Sequence, residues 1–278
     1  MAFFNLFKEK IIEPTVHENE QGLTLFDGAH ILTNCNKVKL EGHAVVLESH
    51  NTNYDSVKGK SKIQLINGGK IDEVSGNVKL GHIKDAYIVK IKGQTEVTTI
   101  SSSSIDYIKD RAFVRTFNSG SIKFLDDRAK IDTMNNGKIL FARNNSRIGT
   151  MNNGSIEAII NSAQISTLNN GKINYILDKS YIGTINHCSI NEVCDNTEIG
   201  TFSDGMINAI VGSSIICQQT GGKVASKQRT SIIVYTQKKE SKAKTRKKEV
   251  AKESTENSNA ELIENAKQTS LLDMEENE

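Results

Sequence analysis

The hydrophobic positions of this chain recur with a fixed period: what stands at one position returns at the seventeenth after it. Five blocks follow one another between residues 134 and 218 with no insertion or deletion: MNNGKILFARNNSRIGT, MNNGSIEAIINSAQIST, LNNGKINYILDKSYIGT, INHCSINEVCDNTEIGT and FSDGMINAIVGSSIICQ. Counting back from Met134 places Phe117, Ile100, Ile83 and Ile66 at the first block position, then Ser49 and Leu32, where the match weakens. A fixed period of this kind is the mark of stacked repeats, here about twelve turns between Leu32 and Tyr235. Helical repeats need about 30 or more residues and are excluded.

Each block position has its own chemistry. The sixth is isoleucine nine times over, from Ile71 to Ile207; the ninth runs Val74, Ile91, Ile108, Leu125, Ala142, Ile159, Ile176, Val193, Ile210. The fifteenth is aliphatic from Leu80 to Ile216, and the thirteenth is small: Ala112, Ala129, Ser146, Ala163, Ser180, Thr197, Ser214. Branched side chains that stack on themselves from turn to turn describe the inside of a tube. The breaks also align. Position four is glycine at Gly69, Gly120, Gly137, Gly154, Gly171, Gly205 and Gly222, and position eleven alternates among Gly, Asp and Asn. Both columns are turn chemistry, with glycine expected to supply backbone freedom at a corner. Three short edges and three corners in each block predict an all-β fold: a single-stranded parallel β-helix, or β-solenoid, triangular in section. The uneven edges favour a right-handed helix.

This reading divides the chain into an N-terminal cap or anchor with its lead-in (residues 1–31), the solenoid (32–235) and a charged, disordered tail (236–278). Phe3, Phe4, Phe7 and Ile11 share one helical face. They suit either a lid over the first turn or a short amphipathic anchor on a membrane surface. The tail begins with a basic block and ends with an acidic one, a composition that does not build a core.

Composition narrows the function. Lys and Arg number 35 against 33 Asp and Glu, so no global field points to nucleic acid. There is one proline, as befits a chain whose backbone pairs nearly everywhere. No signal peptide or membrane-length apolar run is read, and the expected location is the cytoplasm, with the N-terminus available for weak contact with a membrane surface. The four cysteines lack a CxxC pair. Three potential ligands, His187, Cys188 and Cys194, fall in one turn without a partner motif, so neither a metal nor another cofactor is expected.

A strict repeat makes columns rather than constellations of unlike residues, which argues against an enzyme. The best catalytic candidates are the stacked pairs Asp110 with Asp127 and Asp178 with Asp195. One turn of separation, about 5 Å, matches the carboxyl spacing of a retaining glycosidase. The competing explanation is that Asp is a corner residue in a column it shares with Gly and Asn. On the outside, positions eight and ten bring together Tyr107, Phe124, Phe141, Ile160, Tyr175 and Leu177. If position nine faces inward, these form an apolar stripe suited to an interface; if a bulge intervenes, part of the stripe turns inward.

The turn length, the Gly-x-Ile units (Gly137-Lys138-Ile139, Gly154-Ser155-Ile156, Gly171-Lys172-Ile173), the short apolar N-terminus and the polar tail resemble the bactofilins, polymer-forming β-helical scaffold proteins of bacteria. The resemblance implies a right-handed triangular β-helix that polymerises end to end without nucleotide and often sits on a membrane. The asparagine-rich corners and the length of the solenoid depart from that family's pattern. The expected function is therefore a non-catalytic scaffold, bacterial or phage-borne, that self-associates or presents a face to another protein. A fibre component that binds glycan and a glycan-active enzyme are the alternatives. Lys227 stands at position nine of the last turn, where earlier turns carry aliphatics. Such a charge is expected to discourage growth at the C-terminal end and to leave self-association to the stripe or the N-terminal end.

Overall fold

The computed structural model describes residues 13–235, and the fold is a β-solenoid. These residues carry 27 strands, numbered in chain order from β1 (Thr15–Glu18) to β27 (Ile232–Tyr235). Odd-numbered strands form one 14-stranded sheet and even-numbered strands a 13-stranded sheet, so each of about 13 turns contributes one strand to each. All pairings are parallel, and partners in the middle of the fold lie one block apart, as in Ile139–Ile156 and Ile156–Ile173. The anchor residues Phe3, Phe4, Phe7 and Ile11 and the tail assigned to residues 236–278 lie outside the described residues.

The third edge expected from the repeat is not a strand. Block positions ten to thirteen make a tight turn, closed by Ala129 N–H to Asp126 O at 3.0 Å and Ser146 N–H to Arg143 O at 3.1 Å. Successive turns are bonded to one another, as in Arg128 N–H to Asp110 O at 2.9 Å. Position eleven has positive φ from Gly76 to Gly212, 62° at Asp110, 55° at Asp127, 52° at Asn144 and 70° at Gly212. Only Gly, Asn and Asp enter that region readily, which accounts for the composition of the column.

The other corner corrects the reading of position four. In two of the asparagine-rich turns the left-handed residue is position three, Asn153 (φ 55°) and Asn170 (φ 50°). Gly137, Gly154 and Gly171 have ordinary backbone angles and are glycine for lack of room. A Cβ on Gly137 would overlap the Phe117 ring, and one on Gly154 would come within 2.9 Å of Gly137 O. The larger side chains at position one in these turns occupy the space that glycine vacates.

The solenoid also starts earlier than Leu32. Strand β1 is already paired with β3 (Ala29–Thr33), with Thr15 opposite His30, a step two short of the later period. The step is one short at His30–Val46 and reaches the full period at Ile31–Glu48 through a bulge. A shorter first turn and a bulged second hide the start of the repeat from a fixed count. Farther in, Ser49 and Tyr54 break the aliphatic columns of one turn together. Both are buried, and the Tyr54 hydroxyl donates to Ser49 Oγ at 2.7 Å. A small and a large residue exchange volume, and the bond removes the cost of burying two hydroxyls.

Candidate functional site

The four aspartates are built into the turn edge, one per turn. Each half-exposed or exposed carboxylate serves the backbone of the turn before it. Asp110 Oδ2 accepts from Gly93 N–H at 2.9 Å and Asp127 Oδ2 from Asp110 N–H at 3.3 Å. Asp178 and Asp195 do the same for Asn161 N–H (3.2 Å) and Asp178 N–H (3.4 Å). The positive φ and the inter-turn bond together give each aspartate a structural part at its corner. Asp178 and Asp195 line a shallow depression with Asn161, Ser162, Lys179 and Asn196.

His187, Cys188 and Cys194 are not brought together. His187 is a corner residue with positive φ, and its Nε2 lies 2.8 Å from Asp204 Oδ2. Cys188 opens strand β22 (Cys188–Val193), donating to Asn186 O at 2.9 Å, and burial pushes its thiol pKa up. Cys194 lies beyond the far end of that strand, close to Glu192. Among the described residues no group of three or more His, Cys, Asp or Glu side chains is placed to hold a metal ion.

The apolar stripe is not an open face. Phe124 is 6% exposed, Phe141 7%, Tyr175 8%, Ile160 1% and Leu177 0%; Tyr107 is half-buried. None of them belongs to the core cluster inside the tube, so they form a second packed layer on its flank. The rings of Tyr107, Phe124 and Phe141 stack at centroid distances of 4.9 and 5.5 Å, nearly parallel, because in-register strands hold like residues one above the other. Two members of this layer escaped the sequence reading. The buried Arg143 guanidinium lies 4.5 Å from the Phe124 ring centre and bonds Asp126 Oδ2 at 2.9 Å. Asn144 Nδ2 donates to the other Asp126 oxygen at 2.7 Å. Both charges stand in column ten, one turn apart and directly before Ile160 and Leu177, and an oppositely charged pair adjoining an apolar run was the available signal.

Side-chain ladders complete the exterior. Asn135, Asn152, Asn169 and Asn186 each donate Nδ2–H to the Oδ1 one turn back, at 2.8 to 3.3 Å, starting from Asn118. Beside them runs the threonine column, in register from Thr99 to Thr201. These ladders add inter-turn bonds, and they place no acid opposite a base.

The most exposed large apolar side chains stand instead toward both ends of the described residues: Val16 (64%) and Phe26 (54%) in the first turns, and Ile232 (55%), Val234 and Tyr235 (62%) in the last. Among the described residues no strand pairs with the outer edge of β27, the last strand of its sheet. No family model matches this chain, and no curated protein or solved structure does so either.

Proposed function

We propose that this protein is a non-catalytic scaffold whose solenoid associates with further copies of itself. One observation carries the reading. The ladder runs from β1 to β27 without a long irregular loop, and each carboxylate that was a candidate for catalysis gives one oxygen to a backbone N–H of the turn before it. What repeats is geometry, and geometry repeated along an axis is useful for assembly. The comparison with bactofilins rests on turn length and the Gly-x-Ile units, and polymerisation in that manner is the finer form of the same proposal.

The burial of the stripe argues against lateral association through Tyr107, Phe124, Phe141, Ile160 and Leu177. The terminal turn is the better surface. Lys227 ends the ninth column in β26 (Lys223–Lys227), opposite Ile210, with Nζ 3.5 Å from Ser231 O. It blunts that sheet, as a protective charge does. The other sheet extends one strand farther, to β27, where Ile232, Val234 and Tyr235 accompany a backbone edge that no strand among the described residues pairs with. An apolar edge strand is a template for pairing with a second chain.

Sedimentation velocity over a hundredfold range of concentration, with negative-stain electron microscopy of the same samples, tests this. Oligomers or filaments that grow with concentration and are lost in Ile232→Lys/Val234→Lys are expected. A wild-type protein that stays monomeric throughout contradicts the proposal.

A further inference from the structure

We infer that His17 and His30 form a proton-held latch that fastens the first turn of the solenoid. Both occupy core columns. His17 pairs with Leu32, followed by Ser49 and Ile66; His30 pairs with Val46, followed by Ile63 and Leu80. Two imidazoles thus close the N-terminal mouth of a tube that is aliphatic farther in.

The bonds specify the protons. His30 Nε2 lies 2.8 Å from the backbone oxygen of Asp27, which can only accept, so Nε2 carries hydrogen. His17 Nδ1 lies 3.0 Å from Glu20 Oε1, and a carboxylate also accepts, so Nδ1 carries hydrogen. The remaining nitrogens, His17 Nε2 and His30 Nδ1, face each other at 3.2 Å and share one hydrogen between them. All three contacts are satisfied together when the four ring nitrogens hold three protons, the state in which the pair carries one positive charge beside Glu20. A fourth proton would set two N–H groups of two cations face to face. Removal of the third leaves two protons for three bonds. Histidine is the side chain that makes such changes between about pH 5 and 8.

Strand β1 depends on this pair. Thr15, Val16 and Glu18 are exposed, and His17 is its one residue turned to the core. No apolar side chain of β1 anchors it, so the backbone ladder to β3 and the imidazole do. The other groups that face the latch are Cys35, whose Sγ lies 3.5 Å from His17 O, and the Asp27 carboxylate, 3.9 Å from His43 Nδ1. Behind β3, the column neighbours Val46 and Ser49 carry no charge. Acidification therefore frees β1 and uncovers the backbone edge of β3.

Nitrogen-15 NMR of the full chain tests the latch. At neutral pH three of the four ring nitrogens should be protonated. Between pH 7.5 and 5, amide protection in β1 and β3, corrected for intrinsic exchange and referenced to β17 (Arg147–Asn152), should fall at least tenfold. His17→Leu/His30→Leu, which continues the aliphatic columns, should abolish that fall. An unchanged ratio in the wild type, or the same fall in the double variant, overturns the inference. Should the double variant not fold, the ring titration decides: protection lost at a pH where the pair still holds three protons overturns it equally.

Discussion

The middle turns and the end turns are made from the same block positions, but they meet different problems. Between Phe117 and Phe202 every core column is aliphatic, aromatic or small, and each turn is covered above and below by one like itself. At the two ends of the described ladder a strand has a neighbour on one side only among the described residues, and polar residues enter the columns. His17 and His30 stand at the N-terminal mouth, and Gln219 and Lys227 at the C-terminal one, with Gln219 Nε2 donating to Gly222 O at 3.2 Å. The lesson is that burial in a solenoid is supplied by the adjacent turn, so the same substitution has different consequences at different depths.

The largest contrast should come from one charge placed at two depths. Ile156→Asp buries an unpaired carboxylate in the middle of the sixth column and should cost about 3–5 kcal/mol. Ile233→Asp, in the half-buried last turn, should cost about 1 kcal/mol or less, because water reaches the site. Thermal unfolding of the two variants measures the difference. Equal losses would mean that the ends are as well covered as the middle.

The Ser49–Tyr54 pair sharpens the comparison, since it is a polar intrusion well inside the ladder. Tyr54→Phe leaves the serine hydroxyl unpaired and should cost about 1–3 kcal/mol in denaturant unfolding. Ser49→Ile/Tyr54→Ile, which restores both columns, should come close to wild type. Burial, offset in part by the bond to Ser49, drives the Tyr54 phenol pKa well above its ordinary value. The hydroxyl therefore remains a donor at any pH at which the protein would be studied.

At the turn edge, Asp127→Ala should cost about 1 kcal/mol more than Asp127→Gly, because alanine strains the positive φ that glycine adopts freely. Chemical denaturation of the two variants checks the ordering. If alanine is the better tolerated, column eleven is not selected for backbone conformation.

The smallest effect is electrostatic. Partial burial raises the Glu73 pKa, but bonds from Lys92 and Ser75 outweigh it and the net shift is downward. A carboxyl lowered by folding stabilises the fold above its unfolded range, and that contribution is lost as pH falls through the folded value. With Glu73 and Lys92 both about a third exposed, the pair should contribute less than about 0.5 kcal/mol. Lys92→Gln should slightly flatten the acid limb of the stability–pH curve, and an unchanged limb would remove the pair from the account.

How much was legible in the sequence follows from what each signal depends on. Column identity depends on period alone, so the inward residues from Ile66 to Ile216 were readable by counting. The start at Thr15 was not, because the shorter steps at Thr15–His30 and His30–Val46 break the count. Nor was the reason for glycine: Gly120 has φ of 112°, whereas Gly137 fits against the Phe117 ring, and both read as corner glycines. The stripe shows the same limit. Its apolar character was plain in columns eight and ten, but whether an outward column is open or packed depends on what lies over it. The aspartates were visible as a column, and only the inter-turn bonds show that each gives one oxygen to the neighbouring backbone.

Hydrogen exchange followed by mass spectrometry across Thr15–Tyr235 tests the dependence of stability on depth most directly. A plateau of slow exchange is predicted through the turns from Phe117 to Phe202, with protection falling turn by turn toward β1 and β27. Protection that stays level to both ends, or a fast-exchanging break between Phe117 and Phe202, would contradict it.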